Sequence, residues 1–410
     1  MTTHRRDATL HLFGSVQLVA LSADRLKQFS LVGMLGILAP GSSVELLKLT
    51  LFSQIPILLF TPLAGSLIDR WHKPATILGA CIARALLLLA VPWFFAKTGS
   101  IYAFYSAAFV LSVFDLMFAP ARSALLPELV APARLLAVNA VFWTLGIVGT
   151  LVGFLGGGWL FDYFSWQSSF YADSLVYVAA GVLMLPIVIA YRPPTDAPRF
   201  SRDPRENIAY FARSAADAVA LLRQSRELRT SLSVQSALFA VGGAMSVIAI
   251  ARVQEVAPPG RALFLSQVGS ALILGLVLGA LLAGWFRERT LPERTVSVGA
   301  LLAGVAIAGM GRAETLIPMC IWSALLGMSI SPVFIVTETL MQNQSPRQFT
   351  GRVFAAREAL IKAAYIAAAA AAAGLNSFVS KPAILVAMGL FLALLGVILE
   401  RTQWLRMEKQ

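Results

Sequence analysis

Hydrophobic and polar residues alternate along this chain on the scale of whole helices. A stretch of about 20 mainly apolar residues is long enough to cross a membrane as an α-helix. Twelve such stretches are present, at 12–38, 46–68, 75–95, 101–121, 135–160, 168–190, 230–251, 262–286, 295–311, 315–341, 350–374 and 383–400. The pattern predicts an all-α integral membrane protein with twelve transmembrane helices.

Charged residues are scarce. They make up 13% of the 410 residues, while 58% are hydrophobic, and a soluble domain carries about 25% charged residues. The net charge of +12 is typical of bases collected at the cytoplasmic ends of membrane helices, so we expect a lipid bilayer and no nucleic acid as partner. Most lysines and arginines fall at inner helix ends when both termini are cytoplasmic. The sequence predicts that orientation.

The segment between the sixth and seventh apolar stretches is long and basic. It contains NIAYFARSAADAVALLRQ, residues 207–224, in which apolar residues recur at helical spacing between arginines. This pattern indicates an amphipathic helix on the inner leaflet or a solvated linker helix. Pro120 and Pro332 are as far apart as Val141 and Val353, which indicates an internal repeat. We therefore expect two six-helix bundles and a cytoplasmic linker between them, at 1–191, 230–410 and 192–229.

A short charged loop, AGSLIDRWHK at residues 64–73, joins the second and third apolar stretches. Its candidate residues are Gly65, Asp69, Arg70 and Lys73. The segment LAGWFRER repeats the spacing with Gly284, Glu288 and Arg289. A loop of this kind can stabilise one arrangement of helices through contacts that another arrangement lacks. We expect both segments to act in conformational gating, with a purely topological role as the alternative.

A glycine-rich pattern, GIVGTLVGFLGGGWL, lies in the fifth apolar stretch. Gly149, Gly153 and Gly157 follow one another at four-residue intervals, so a second helix backbone can approach closely there. Such a face can serve helix packing alone, or packing and gating together.

The charged loop resembles the signature between helices 2 and 3 of the major facilitator superfamily, G-x-L-x-D-R-x-G-R-R. The resemblance extends over nearly the whole chain. It implies a multi-pass protein of the bacterial inner membrane, built from two pseudo-symmetric six-helix bundles with a binding cavity near the bilayer midplane. The glycine-rich pattern is similar to the antiporter motif of the family, G-x-x-x-G-P-x-x-G-G, with Phe154 at the proline position.

Three further segments, APARSALLPELV, LLAVNAVF and TGRVFAAREAL, resemble the macrolide-efflux and siderophore-export branch of that superfamily. The first helix and the end of the fourth are also similar to the bacterial lysophospholipid transporter. In that family an acid in helix 1 and a base just after the A-P of helix 4 contribute to transport. The resemblance assigns these roles to Asp24 and Arg122.

Charged residues inside apolar stretches are candidates for substrate and proton contacts. A charge at the centre of a span costs about 2.5–3.5 kcal/mol on insertion scales, so it usually faces a partner or a wet cavity. Gln17, Asp24 and Gln28 form a polar stripe along the first helix, and Lys27 lies one turn from Asp24. The stripe indicates a cavity-lining face, and a structural ion pair is the alternative.

Two other groups of intramembrane charges stand out. Asp115 in helix 4 could pair with Arg84 in helix 3. Glu358 and Lys362 in helix 11 have the favourable i, i+4 order for an internal pair, and Arg357 lies beside them. The helix 11 group indicates either a lock against the charged loop or a contact with substrate.

Motifs of ATP hydrolysis and of metal catalysis are absent from the sequence. It contains neither G-x-x-x-x-G-K-[ST] nor H-E-x-x-H, and its histidines and cysteines form no ligand cluster. We therefore expect no enzyme activity, no cofactor and no metal site.

The sequence favours a secondary transporter that exports small amphipathic molecules by alternating access, with protons as the coupling ion and the monomer as the working form. A second interpretation is lysophospholipid transport, in which Asp24 and Arg122 bind a zwitterionic head group. A third is a polytopic scaffold or sensor that transports nothing.

Overall fold

A computed structural model describes residues 3–68, 72–130, 134–191, 226–258, 261–286, 292–344 and 350–407. These residues form twelve α-helices. In chain order, α1 to α12 are Thr3–Leu38, Ser43–Ile68, Lys73–Thr98, Tyr102–Leu129, Leu135–Tyr163, Trp166–Ala190, Arg226–Val256, Ala262–Phe286, Pro292–Arg312, Leu316–Gln344, Thr350–Leu375 and Lys381–Met407. The predicted fold class is confirmed, and several helices are longer than the apolar stretches that predicted them.

Ten of the described helices contain windows that are long and apolar enough to cross a membrane. The other two are α1, whose centre carries Asp24, Arg25 and Lys27, and α4, whose apolar part is the shorter Tyr102–Phe118. In lipid every backbone polar group must be satisfied within the segment, and the α-helix achieves this for each stretch separately. The helix does not satisfy its charged side chains in the same way, so charges in α1 and α4 need partners from other helices.

Large apolar side chains cover much of the outer surface. Trp143 is 72% exposed and Phe378 is 88% exposed. Such a surface would be unfavourable in water but is suited to lipid contact. The exposed side chains therefore agree with the membrane location that the composition predicts.

The chain forms two compact units. The first contains α1, α3 to α6 and most of α2, and the second contains α7 to α12 together with residues 39–50. In the first unit α1 packs against α5, and α3 packs against α4 and α6. The second unit repeats these pairings, since α7 packs against α11, and α9 packs against α10 and α12. The internal repeat of the sequence thus corresponds to a repeated set of helix pairs.

The predicted glycine face packs α5 against α1. A Cβ atom on Gly149 would lie 2.6 Å from the carbonyl oxygen of Leu18, and one on Gly153 would lie 2.4 Å from that of Ser22. Any side chain at these positions would push the two helices apart. Gly157 continues the contact one turn further, where a Cβ atom would lie 2.8 Å from Cβ of Phe29.

Short connections hold neighbouring helices in place. The His72 side chain caps α3 by accepting a hydrogen bond from the backbone N–H of Ala75 at 3.3 Å. The same helix ends at Gly99, whose φ of 62° lies in the left-handed region that glycine adopts without a steric penalty. The amphipathic segment predicted at 207–224 lies outside the described residues.

Candidate functional site

A cluster of charged side chains lies inside the first unit, where α1, α3 and α4 meet. Asp24 and Lys27 come from α1, Arg84 from α3 and Asp115 from α4. The ammonium of Lys27 lies 2.7 Å and 2.9 Å from the two carboxylate oxygens of Asp115, and 3.5 Å from Oδ1 of Asp24. Nη1 of Arg84 lies 3.0 Å from Oδ1 of each aspartate. Both cations are therefore shared between the same two carboxylates.

Arg84 is fully buried, and its surroundings compensate for the loss of water. Its Nε donates to the carbonyl oxygen of Ala80 at 3.0 Å. The guanidinium stacks on two aromatic rings, with its central carbon 4.5 Å from the ring centroid of Tyr177 and 5.0 Å from that of Phe118. The Tyr177 hydroxyl also donates a hydrogen bond to Oδ1 of Asp24.

Exposure differs between the two signs of charge. The side chains of Asp24 and Asp115 are 23% and 31% exposed, whereas those of Lys27 and Arg84 are 9% and 0% exposed. A buried ion pair that loses one partner leaves a charge that is strongly unfavourable. Anything that neutralises one carboxylate from the accessible side therefore changes how firmly α1, α3, α4 and α6 are held together.

The other polar residues predicted on α1 face elsewhere. Gln28 is exposed and accepts a hydrogen bond from Nη1 of Arg25 at 3.0 Å. Gln17 is buried against α5, where its amide nitrogen lies 3.7 Å from the Cβ position of Gly146. Of the predicted stripe only Asp24 belongs to the charged cluster, which Lys27 joins from the same helix.

Arg122 lies seven residues after Asp115 on α4 and is half-buried. This spacing corresponds to about 10 Å along the helix axis at 1.5 Å per residue. Arg122 therefore lies at a different depth along the axis of α4 from Asp115.

A second cluster of polar groups lies in the second unit around Arg357 of α11, which is 5% exposed. Its Nη2 lies 2.7 Å from Oε2 of Glu338 on α10, and its Nη1 lies 3.2 Å from Oε1 of Glu358. Gln235 of α7 accepts from Nε of Arg357 and donates to Glu338 at 3.1 Å. The carboxylate of Glu358 also attracts the ammonium of Lys362 electrostatically, one turn further along α11.

The described part of the charged loop is tied into the first unit. Lys73 forms an ion pair with Glu128 at the end of α4. The other carboxylate oxygen of Glu128 accepts a hydrogen bond from Tyr191 at 2.5 Å, and the His72 ring packs edge-on against Tyr191 at 4.8 Å between centroids. Partial burial and the Glu128 carboxylate raise the pKa of the Tyr191 phenol, because both disfavour the phenolate.

The remaining gating candidates are only partly covered. Gly65 lies in the last turn of α2, and Gly284 lies near the end of α8, where a Cβ atom would meet open space. Four predicted residues lie outside the described ranges, namely Asp69, Arg70, Glu288 and Arg289.

Several residues of these clusters do not stand out in the sequence. Tyr177 and Asp173 lie on α6, and Gln235 lies on α7. Ser169, Asp173 and Tyr177 recur at four-residue intervals in an apolar helix. That polar face was a signal that sequence reasoning could have used.

A polytopic helical protein with two similarly built halves and partnered charges inside its spans has the architecture of a secondary transporter. The sequence profile of the Major Facilitator Superfamily matches residues 26–255, more than half of the chain. The chain belongs to this superfamily. The resemblance seen in the charged loop and the glycine-rich pattern is therefore confirmed.

Three similar proteins illustrate the relationship. The uncharacterised MFS-type transporter YfiS of Bacillus subtilis is 26% identical over 369 residues, which cover 87% of this chain and 84% of YfiS. Macrolide efflux protein A of Enterococcus faecalis is 23% identical over 323 residues, 76% of this chain and 95% of that protein. A crystal structure of the nucleoside transporter NupG shares the fold with a TM-score of 0.72 and 10% identity, covering 96% of this chain and 99% of NupG.

Family membership makes this protein a multi-pass secondary transporter of small substrates. Members of the superfamily are generally transporters rather than enzymes. The interpretation as a scaffold or sensor loses its support. Both relatives are named as transport proteins, and the sequence match covers most of the length of each.

Proposed function

We propose that this protein exports small amphipathic molecules from the cytoplasm or the inner leaflet in exchange for protons, and that Asp24 is the proton-carrying group. The observation that carries the proposal is the sharing of Lys27 and Arg84 between Asp24 and Asp115. The relationship to Macrolide efflux protein A supports export of a bulky, partly apolar substrate.

Protonation of Asp24 would change the connections between helices. Its Oδ1 is the common partner of Arg84, Lys27 and the Tyr177 hydroxyl. A neutral carboxyl holds these donors more weakly, so the two cations would be left to Asp115 on α4. Two protonation states that favour different helix contacts are what coupling to a conformational change needs.

A cationic or polar substrate can act at the same place. A positive group that approaches Asp24 or Asp115 from their exposed side would compete with Lys27 for the carboxylates. Proton and substrate would then exclude one another, which produces exchange. We also propose that the protein works as a monomer in the bacterial inner membrane. The distribution of lysines and arginines supports an orientation with both termini in the cytoplasm.

The replacement Asp24→Asn tests the proposal. The purified protein would be reconstituted into vesicles with a pH gradient, and uptake of radiolabelled erythromycin and of ethidium would be measured. We expect the variant to insert and fold but to lose transport driven by the gradient, because an amide cannot exchange a proton. Transport by Asp24→Asn with an unchanged response to the gradient would contradict the proposal.

Lysophospholipid transport is the second candidate. An open pocket of about 460 Å³ lies between α3 and α4, and its walls are mostly apolar. It is lined by His72, Ala75, Thr76, Gly79, Ala80, Phe114 and Met117. An acyl chain fits such a lining, while Asp24 and Arg122 would hold the head group.

The two candidates differ in their response to Asp24→Asn. For a lysolipid transporter, the variant should lose affinity for lysophosphatidylethanolamine while the pH dependence of transport stays as in the wild type. Movement of this lipid between the leaflets of reconstituted vesicles is the measurement. A wild-type protein that moves erythromycin but no lysolipid would exclude the second candidate.

A further inference from the structure

A third aspartate is buried at the contact between α1 and α6. Asp173 is 0% exposed, and Oδ1 of its carboxyl accepts no hydrogen bond from the residues that the structure describes. Its other oxygen, Oδ2, lies 2.6 Å from Oγ of Ser30. Oγ of Ser30 lies 2.7 Å from Oγ of Ser169. The carboxyl thus lies at the end of a chain of two hydroxyl groups, which are 0% and 1% exposed.

The direction of the hydrogen bonds in this chain can reverse. A serine hydroxyl is one donor and also an acceptor, and its proton rotates to suit its partners. When Asp173 is a carboxylate, Ser169 donates to Ser30 and Ser30 donates to Asp173. When Asp173 is protonated it can donate to Ser30, which then donates to Ser169. A hydrogen-bonded chain that can adopt both directions of donation can pass a proton along its length.

Lys27 lies three residues before Ser30 on α1, so its positive charge is one helical turn from the hydroxyl that bonds to Asp173. Its ammonium is hydrogen-bonded to Asp115 and Asp24, and the guanidinium of Arg84 is engaged by the same two aspartates. A carboxylate without a paired charge is strongly unfavourable in a buried site. The other charged or titratable groups around this part of α1, α3, α4 and α6 are Asp24, Arg25, Cys81, Arg84, Asp115 and Tyr177.

The hydroxyl chain runs along the helix pair away from the charge cluster. The hydrogen-bonded pairs Asp24–Tyr177 and Ser30–Ser169 show that α1 and α6 are antiparallel. Ser30 is six residues beyond Asp24 on α1, about 9 Å along the axis. Ser169 lies in the first turn of α6, at the end that faces outward when both termini are cytoplasmic. The chain therefore spans one turn of α6, from Asp173 towards the outer end of the helix pair.

We propose that Asp173 is a second proton-binding carboxyl, which exchanges its proton towards the outer face through Ser30 and Ser169. Lys27 links it to Asp24, because a proton on Asp24 removes one of the two carboxylates that Lys27 balances, so that the ammonium, still bonded to Asp115, better stabilises a carboxylate at Asp173. A proton would then leave Asp173 when Asp24 gains one. This role rests on the proton coupling proposed above, whereas proton binding at Asp173 is testable by itself.

Infrared spectroscopy of the full-length protein in lipid vesicles tests proton binding directly. Protonated carboxyl groups have a carbonyl band that carboxylates lack, and the band is followed while the buffer pH is changed. We expect Asp173→Asn to remove one titrating band, while Asp24→Asn and Asp162→Asn, at the end of α5, keep it. A full set of titrating bands in Asp173→Asn would overturn the proposal.

The relay through the hydroxyls is tested by hydrogen–deuterium exchange of the same band. Ser30→Ala and Ser169→Ala should keep the band but slow its shift on transfer to deuterated buffer by at least about tenfold. Ser15→Ala, whose hydroxyl bonds to the backbone of His11 in the same helix, is the matched control and should exchange as the wild type does. Unchanged exchange in both relay variants would overturn the relay. These two serine variants also test the proposal if Asp173→Asn does not fold.

The outcomes separate this site from the proposed function. A band assigned to Asp173, together with pH-driven transport that survives Asp24→Asn, would contradict the coupling role of Asp24 but support proton binding at Asp173. Loss of pH-driven erythromycin transport in Asp24→Asn, with no band assigned to Asp173, would support the coupling role of Asp24 and contradict proton binding at Asp173.

Discussion

Arg84 connects more of the first unit than any other residue of the cluster. It lies on α3, stacks on Tyr177 of α6, and reaches Asp24 of α1 and Asp115 of α4 with the same Nη1 atom. Lysine could not reproduce this arrangement, since its point charge lacks the planar fork that stacks and binds at the same time. Breaking a buried ion pair by removing one partner typically costs about 3–5 kcal/mol.

A double replacement separates a chemical role of Asp24 from a structural one. If Asp24 only balances Lys27, the variant Asp24→Asn with Lys27→Gln should restore the transport that Asp24→Asn alone has lost, because no unpaired charge remains. If Asp24 carries the proton, transport driven by the pH gradient stays lost in the double variant. The assay is erythromycin uptake with and without the gradient. Full restoration with normal pH dependence would remove Asp24 from the mechanism.

At the scale of helices, the first unit depends on a close approach of α1 and α5. The carbonyl oxygens of Leu18 and Ser22 occupy the space that side chains on Gly149 and Gly153 would need. Since α1 carries Asp24 and Lys27, the glycine face also sets the distance from these charges to their partners on α3 and α4. Helix packing and the proposed proton-binding site are therefore linked through α1.

Replacing one glycine of this face should disturb that link. Gly153→Ala places a methyl group 2.4 Å from a backbone oxygen that a rotamer change cannot move away. Overpacking of this kind costs about 1–3 kcal/mol, and we expect a lower melting temperature in detergent and reduced transport. Gly156→Ala is the control, because its methyl group would lie 3.5 Å from the flexible end of Leu26. Equal melting temperatures for the two variants would show that the close approach is unimportant.

At the scale of the whole molecule, the two units repeat the same helix pairs but place their buried charges differently. The first unit joins α1, α3, α4 and α6 around Arg84, whereas the second joins α7, α10 and α11 around Arg357. In the second unit, Glu338 of α10 is a direct partner of Arg357. The repeat therefore governs the backbone arrangement, and each half carries its own polar chemistry.

The proposed orientation gives a prediction for the whole chain. Single cysteines would be introduced into a variant in which Cys81 and Cys320 are replaced. Cysteines at Arg199 and Arg226 should react with a membrane-impermeant reagent only from the cytoplasmic side, and those at Gly41, Gly99 and Arg312 only from the outside. The reason is the concentration of bases at one set of helix ends. Labelling of positions 41 and 226 from the same side would contradict the predicted topology.

The sequence by itself determined the number and approximate extent of the helices and their place in a membrane. An apolar stretch of about 20 residues satisfies its backbone in lipid only as a helix, so each span is decided locally. The glycine face was predictable for the same reason, since four-residue spacing fixes which positions share a helix surface. The pairing of Lys27 with Asp24, at three-residue spacing, was within reach of this reasoning.

Only the tertiary structure decided which distant charges meet. Asp115 binds Lys27 across 88 positions of sequence, and Gln235 joins Arg357 across 122. Such partners depend on how helices are rotated and staggered against one another, which no spacing within a single helix determines. Asp173 shows this most clearly, because its hydroxyl partner Ser30 lies on a helix more than a hundred residues earlier in the chain. The antiparallel packing of α1 and α6 brings the two together.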